Sequence, residues 1–202
     1  HPTMAALAGL FNAGRAAVQL NVGPLVVPLT RSQYSSSDRT NFPLPPKLFS
    51  HNDQQSIWQS SSPEGSTIGW GGNLGDLALS SNATSTFTCI NVTGNAVFLS
   101  GDQALSYQVS TNGAVAINGV KNNVYGSSAV RAALTSLIQQ PRAHTLENEY
   151  NKVTARAMGA EAQITSGLSG VTLATTFPSG SLGDQLKMVA RLIGARSTLG
   201  TK

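Results

Sequence analysis

Prolines set the strongest limit on how this chain of 202 residues can fold, because they are concentrated in one stretch between residues 23 and 48. Each proline lacks a backbone N–H and has a fixed φ, so it interrupts helices and sheet ladders alike. The sequence therefore predicts a long loop over residues 23–48, with regular elements on either side. The prolines in it are Pro24, Pro28, Pro43, Pro45 and Pro46.

Before this loop, the sequence predicts one helix and one strand. Pro2 suits a first helical turn, apolar side chains then recur at helical spacing, and Gly14 stands where helices commonly end. Residues 17–22 alternate between apolar and polar side chains, which is typical of a strand. A helix followed by a strand is half of an α/β unit. The apolar helix positions are Met4, Leu7, Leu10 and Phe11.

After the loop, the sequence predicts short helices and then a β region. Residues 50–59 contain neither Gly nor Pro, and Ser50 or Asn52 is a suitable helix cap. We expect a loop over residues 60–72 and a helix over 73–79. Turn residues then separate short apolar runs, and the Asn-Gly pair at 112–113 is typical of a hairpin. The runs 87–92, 96–99, 105–109 and 114–117 therefore predict an antiparallel meander or a pair of hairpins.

The remainder of the chain is predicted to be largely helical, because its apolar residues follow the 3.6-residue period of an amphipathic helix. One apolar stripe covers residues 130–138 and ends before Pro141. A second stripe, over residues 146–164, predicts a helix of about 20 residues. A third covers residues 182–193.

These elements together predict an α/β protein with an inserted antiparallel β-hairpin region and several helices. We expect residues 1–80 to form part of an α/β core that carries the candidate site. Residues 81–120 are expected to form a β-hairpin cap, and residues 121–202 a helical segment that packs on the core.

Composition excludes some classes of partner. Charged residues make up 11% of the chain, against about 25% in an average globular protein. The net charge of +4 comes from few acidic residues rather than many basic ones, and the basic residues are scattered singly, so no basic stripe indicates nucleic acid binding. No apolar run reaches the roughly 18 residues that a membrane span needs. The single cysteine, Cys89, cannot form an internal disulfide and is predicted to be a buried thiol.

A polar cluster over residues 50–55 is the strongest candidate for chemistry. A serine where a loop meets a helix can act as a nucleophile, because the helix N-terminus stabilises an anion. Ser50 is therefore a candidate nucleophile, with His51 and Asp53 as a base or as metal ligands. The alternative is that Ser50 only caps the helix, since members of a catalytic triad converge from separate parts of a chain. The candidate substrate-binding residues are Asn52, Gln54, Gln55, Trp58 and Trp70.

Three other patterns could indicate a functional site, but each also has a purely structural explanation. Trp58 and Trp70 flank one loop and are expected either to wall a cleft or to pack in a core. The glycines of residues 69–75 superficially resemble a dinucleotide-binding loop, but no strand precedes them, so a turn is expected. The sequons that begin at Asn82 and Asn91 match the glycosylation pattern, which also occurs by chance.

Metal ligands are scarce. The chain has three histidines, His1, His51 and His144, whereas a two-metal site needs about six histidine and carboxylate ligands. A complete metallohydrolase site is therefore not expected from this chain alone.

Several strings, in order along residues 1 to about 77, resemble one bacterial family, the domain of unknown function 1501. They are His1-Pro2, Phe11-Asn12-Ala13-Gly14-Arg15, Asn21-Val22-Gly23-Pro24-Leu25, Pro28-Leu29-Thr30-Arg31-Ser32-Gln33-Tyr34, Leu44-Pro45-Pro46, Leu48-Phe49-Ser50-His51-Asn52-Asp53-Gln54-Gln55, Trp58-Gln59 and Gly69-Trp70-Gly71-Gly72. That family is similar to the sulfatase and alkaline phosphatase superfamily.

The resemblance implies a partial alkaline-phosphatase-like layered core and a protein longer than this chain. In the superfamily, the helix that follows an early loop begins with the nucleophile, and by position Ser50 is the residue at that place. The Cys-x-Pro-x-Arg and Ser-x-Pro-x-Arg strings of sulfatases are absent. Divalent metal ions are implied for the intact protein, and a twin-arginine export signal in family members implies a periplasmic or secreted location.

Three hypotheses follow from the sequence. The first is a fragment of an exported hydrolase-like protein that acts on phosphate or sulfate esters, with a small-molecule ester as substrate. The second is a non-catalytic binding or assembly protein on a hydrolase-like scaffold. The third is a chain that functions as a homodimer, whose partner supplies the strands that an exposed sheet edge needs.

Overall fold

The computed structural model describes residues 2–62, 65–94 and 97–202. The chain divides into two compact units, residues 1–64 and residues 65–202. The protein is mixed α/β, with about 52% of its residues in helices and a small parallel sheet of two strands. Residues 65–80 belong to the second unit, whereas the sequence placed its first boundary near residue 80.

The first unit begins with the predicted helix. A 3₁₀ turn over Pro2–Met4 leads into α1, Ala5–Asn12. Gly14 then adopts a φ of +69°, a left-handed conformation that glycine tolerates without strain. Its N–H donates to the carbonyl of Phe11, and the N–H of Arg15 donates to that of Leu10, at 3.0 and 2.9 Å. This pair of bonds is a Schellman motif, which satisfies carbonyls at the end of the helix.

Two further helices complete the first unit. Helix α2, Arg31–Ser35, lies within the predicted loop, where the side chains of Thr30 and Gln33 form a capping box. Helix α3, His51–Ser60, is the one predicted over residues 50–59, and it ends at Ser61 in the left-handed conformation. The remainder of residues 23–48 lacks regular structure, as the prolines predict.

The predicted strand over residues 17–22 is not formed. Val18 and Leu20 are 70% and 75% exposed, so the alternating pattern faces solvent instead of a sheet. A strand requires a neighbour for its backbone hydrogen bonds, and no described residue pairs with this segment. The alternation of apolar and polar residues was therefore not sufficient to form a strand here.

The second unit begins with α4, Trp70–Ala78, which starts three residues earlier than predicted. Gly69, Gly71 and Gly72 belong to this helix start, not to a turn, because their missing side chains admit the backbone of residues 97–101. A Cβ at Gly72 would overlap the backbone of Ser100. Tertiary packing thus outweighs the low helix propensity of glycine.

The sheet contradicts the predicted antiparallel meander. Strand β1, Cys89–Asn91, pairs with β2, Ser106–Gln108, in parallel, with Ile90 opposite Tyr107. The residues between the strands are numerous enough for the crossover that parallel pairing requires. Phe87, the first residue of the run 87–92, ends a 3₁₀ turn over Ser85–Phe87. Val97–Leu99, in the run 96–99, is a second 3₁₀ turn, and residues 114–117 form no strand.

The Asn-Gly pair at residues 112–113, which predicted a hairpin, forms only a turn. Ser110 and Gly113 exchange backbone hydrogen bonds of 2.9 and 3.0 Å around Asn112, but strands do not continue on both sides. The predicted turn residue Asn95 and the first residue of the predicted strand 96–99 lie outside the described residues, as do His1 and two residues of the predicted loop over 60–72.

The three apolar stripes in the last third of the chain form helices, as predicted. Ser127 caps α6 by accepting the N–H of Val130. The second stripe extends beyond its prediction to give α7, which runs to Ser169. The helices are α5, Asn118–Lys121; α6, Ser128–Gln139; α7, Thr145–Ser169; α8, Ser181–Gly194; and α9, Arg196–Leu199.

One hydrophobic core joins these helices to the β region. Phe87 and Val109 pack with residues of α7, α8 and α9, among which Ile164 and Leu199 are fully buried. Gly167 allows the close approach of Leu199, to which a Cβ would lie only 3.1 Å away. Residues of the segment 81–120 and of the helical segment 121–202 therefore share a core.

Candidate functional site

Ser50 lies at the start of α3, where the sequence placed it. Its Oγ accepts a hydrogen bond of 3.4 Å from the backbone N–H of Asp53, which makes Ser50 the N-cap. Its own N–H donates to the carbonyl of Lys47 at 2.9 Å. The hydroxyl is therefore held beside the N–H groups of the first helical turn, where the helix dipole favours negative charge.

The loop before α3 is fastened to the helix by Gln54. Its Nε2 donates to the carbonyls of Pro46 and Lys47, both at 3.3 Å. These bonds fix the approach of the chain to Ser50. Gln54 was predicted to bind substrate, and its amide nitrogen is already engaged with the backbone.

Asp53 and His51 lie on different sides of α3. Asp53 is 3% exposed, and one of its carboxylate oxygens lies 3.6 Å from Nζ of Lys47. Ile57, one turn further on, is buried beside it on the same side of the helix. His51 is exposed, and the two-residue step from it to Asp53 rotates about 200° around the helix axis. The structure therefore does not bring this imidazole and carboxylate together.

One open face of α3 collects most of the other predicted residues. They follow the i, i+3, i+4, i+7, i+8 spacing of a single helix side. The groove along this face, of about 390 Å³, is bounded by one helix only, so it is a shallow surface and not an enclosed cavity. Trp58 is 53% exposed here, and Asn52 is exposed but lies off this face. The residues of the face are His51, Gln54, Gln55, Trp58 and Gln59.

Trp70 has a different setting. It is the first residue of α4 in the second unit, and its ring meets that of Phe98 edge-on, with centroids 4.5 Å apart and an interplanar angle of 82°. Such a geometry is favourable for aromatic rings. Trp70 therefore packs within the second unit. Its partner Phe98 belongs to the segment that lies against the glycines of α4.

Sequence reasoning missed Asp76. Its carboxylate accepts three backbone N–H groups, from Asp102, Gln103 and Ala104, at 2.8, 2.9 and 2.6 Å. These hydrogen bonds lower the pKa of Asp76 below its ordinary value, and the bond from Ala104 has the largest effect. No local pattern could have indicated this, because the partners lie more than two dozen residues further along the chain.

Cys89 is buried, as predicted. Its Sγ packs where a side chain on Gly75 would otherwise lie, and Ala104 is also close to that point. Burial raises the pKa of the thiol, and the nearby carboxylate of Asp76 adds to this effect. A raised pKa leaves the thiol protonated at neutral pH, so Cys89 has the properties of a structural residue.

Both sequon asparagines are engaged within the protein. Nδ2 of Asn82 donates to Oγ1 of Thr88 at 2.9 Å, and its Oδ1 accepts the N–H of Lys202 at 3.1 Å. Asn91 is buried, and its Oδ1 accepts the N–H of Thr93 at 2.9 Å. These side chains serve the folded structure.

The described residues do not fit a metal centre. Across residues 2–62, 65–94 and 97–202, no group of three or more His, Cys, Asp and Glu side chains could hold a metal ion. Asp53 is paired with Lys47 on the side of α3 away from His51, and His144 is the exposed residue that precedes α7.

Comparison with known proteins gave no match, whether to a protein-family model, to a curated protein or to a solved structure. Among the described residues, no helix is both long and apolar enough to cross a membrane.

Proposed function

We propose that this chain is part of an exported hydrolase-like protein that acts on small-molecule phosphate or sulfate esters through Ser50. The observation that carries the proposal is the placement of the Ser50 hydroxyl at the N-cap of α3, beside the N–H of Asp53. A helix N-terminus favours the negative charge that ester cleavage at phosphorus or sulfur involves. The resemblance to the 1501 family and its alkaline-phosphatase-like core supports the same function and a periplasmic or secreted location.

In this proposal, Oγ of Ser50 attacks the phosphorus or sulfur atom of the ester. A new O–P or O–S bond forms, the bond to the alcohol breaks, and the alcohol leaves with a proton. His51, next in the chain and exposed, accepts the proton of the Ser50 hydroxyl and then gives it to the departing alcohol. Water then releases the phosphate or sulfate from Ser50. The divalent metal ions that the resemblance implies would require ligands beyond the described residues, and no step above depends on them.

The remaining residues of the cluster have binding and positioning roles in this proposal. Trp58 offers an exposed ring for an apolar or sugar group, and Gln55 offers a free amide on the same face of α3. Gln54 positions the loop before Ser50 through its bonds to that loop's carbonyls. Asp53 acts through Lys47, whose cation it holds near the helix start.

Variants at Ser50 distinguish its role as the N-cap of α3 from its proposed role as the nucleophile. Ser50→Asn retains a good N-cap but has no hydroxyl, so it should preserve folding and abolish turnover of aryl phosphate, phosphodiester and aryl sulfate substrates. Ser50→Thr retains both the cap and the hydroxyl and should keep measurable turnover. Ser127→Asn, the same change at the cap of α6, is the matched control. Turnover that survives in Ser50→Asn would exclude Ser50 as the nucleophile.

A second candidate function, non-catalytic binding or assembly, is favoured by one observation. The imidazole of His51 and the carboxylate of Asp53 lie on different sides of α3, so Asp53 does not orient a base beside Ser50. A scaffold protein would bind non-hydrolysable ester analogues through the Trp58 face without turnover and would hold no stoichiometric metal. Binding lost in Trp58→Ala, together with inactive wild-type protein, would support this function over hydrolysis.

A homodimer is favoured by the exposed apolar surface of the first unit. The apolar side chains of α1 and of residues 17–22 are about half exposed or more. Exposed patches of this kind commonly mark interaction surfaces. A dimer mass in sedimentation that becomes monomeric in Leu7→Glu would support the homodimer, and a monomeric wild-type mass at high concentration would exclude it.

A further inference from the structure

A groove in the second unit is separate from the α3 face and has no role in the function proposed above. It lies between α7 and β2 and has a volume of about 480 Å³. Small-molecule sites commonly measure about 300–1,000 Å³, and they combine an apolar lining with a few polar groups. On the α7 side, the groove is lined by residues at i, i+3, i+4 and i+7 spacing, which form one helix face: Val153, Arg156, Ala157 and Ala160.

The groove is apolar and open to a ligand. Ala157 and Ala160 have side chains too short to fill it, and this is why space remains between α7 and β2. On the opposite wall, Leu105 is 80% exposed, and Val153 is 48% exposed on α7. The Leu105 wall is held in place, because the preceding backbone is fastened to the carboxylate of Asp76.

Polar side chains that can donate hydrogen bonds also line the groove. Ser85, Thr86 and Ser106 line it, and none of their hydroxyls makes a hydrogen bond within the described residues. Arg156 donates from one guanidinium nitrogen to Glu149 at 3.0 Å, which leaves most of its N–H donors available. Every one of these groups can donate a hydrogen bond, and Arg156 carries a positive charge, so together they complement an anion.

We propose that this groove binds a small anion with an apolar body, namely an aryl or medium-chain acyl group that bears a carboxylate, sulfonate or phosphate. The apolar body lies against Leu105 and Val153. The anionic group lies at Arg156 and the neighbouring hydroxyls. Glu149 opposes the anion, because it is an acidic group that competes for the same guanidinium.

The test is calorimetric titration of the whole chain with 1-naphthalenesulfonate, which cannot be hydrolysed, so its binding is independent of the ester chemistry proposed for Ser50. Removal of a charge-assisted hydrogen bond in Arg156→Gln should weaken binding about tenfold. Glu149→Gln should tighten it, because the competing carboxylate is gone. Ala157→Met should abolish it by filling the groove. Arg15→Gln, which removes an equal charge in the first unit, should leave it unchanged.

Several results would overturn the proposal. Wild-type protein that does not bind the sulfonate excludes the site. Equal affinity for uncharged naphthalenemethanol excludes the anion subsite, as does equal weakening by Arg15→Gln and Arg156→Gln. The Glu149→Gln variant keeps the test decisive if Ala157→Met fails to fold, because it changes only an exposed side chain and is expected to increase affinity.

Discussion

The backbone N–H of Ala104 donates a hydrogen bond of 2.6 Å to the carboxylate of Asp76, across 28 positions of the sequence. Two adjacent N–H groups, of Asp102 and Gln103, donate to the same carboxylate. This side chain therefore connects α4 to the segment that leads into β2. We expect the stability of the second unit, and its dependence on pH, to reflect these hydrogen bonds.

Asp76→Asn should destabilise the second unit, because an amide nitrogen would face backbone donors. The bonds lower the pKa of Asp76 in the folded protein, so their contribution is complete above the unfolded pKa of about 3.8. It is lost as the pH falls through the lower folded value. Urea unfolding, followed by Trp70 fluorescence in a Trp58→Phe background, should therefore depend less on pH below 4 in Asp76→Asn. Equal pH dependence in both proteins would contradict this role.

Gly75→Ala should destabilise the second unit by about 1–3 kcal/mol, a typical cost of overpacking. The new Cβ would overlap Sγ of Cys89 and contact Ala104. Cys89→Ala should relieve part of the cost, which a double-mutant cycle in urea measures. Gly159→Ala is the control: the exposed glycine of α7 has open space around it, so alanine should stabilise by roughly 0.5–1 kcal/mol. Equal effects of the two glycine changes would refute the packing argument.

Ser50→Ala should destabilise α3 by about 1 kcal/mol, because the N–H of Asp53 loses its acceptor. Ser50→Asn should restore most of this stability. Hydrogen exchange at the amides of Asp53 and Gln54 measures the effect directly, and faster exchange is expected in the alanine variant alone. If the alanine variant exchanges no faster than wild type, the hydroxyl does not cap the helix.

Leu199→Ala should cost about 2–5 kcal/mol, the usual range for removing a buried leucine side chain. Leu199, the last residue of α9, is fully buried against Gly167 of α7, and the chain just after it is hydrogen-bonded to residues 82 and 83. Leu146→Ala, at an exposed leucine of α7, should change stability by less than about 0.5 kcal/mol. Thermal unfolding of both variants provides the comparison, and similar losses would place Leu199 outside the core.

Helices were the most predictable part of the fold. The period of the apolar residues indicated α6, α7 and α8, and Ser50 and Gly14 marked a helix start and a helix end. Such signals are local: a helix makes its hydrogen bonds within itself, and its caps lie within a few residues. For the same reason, the Ser50 junction of the candidate site was predictable.

Strands and long-range contacts were not predictable in this way. Residues 17–22 and 105–109 carry similar alternating patterns, yet only the latter contribute to a strand, because β1 lies beside them. The direction of β2 relative to β1 is likewise decided by the path of the intervening chain. The glycines of α4 resembled a turn, since their role is visible only when Phe98 and Ser100 lie against them.

The sequence by itself determined α1, α3 and α6 to α8, the helix signals at Ser50 and Gly14, the largely irregular proline-rich segment and the composition of the polar cluster at Ser50, because each depends on neighbours within a few residues. Only the tertiary structure decided which side of α3 is covered, so that Asp53 is buried and His51 is exposed. It also decided that β1 and β2 run in parallel, and that Asp76 fastens the segment before β2. These features join residues far apart in the chain or depend on which side of an element is covered, and a local pattern does not encode either.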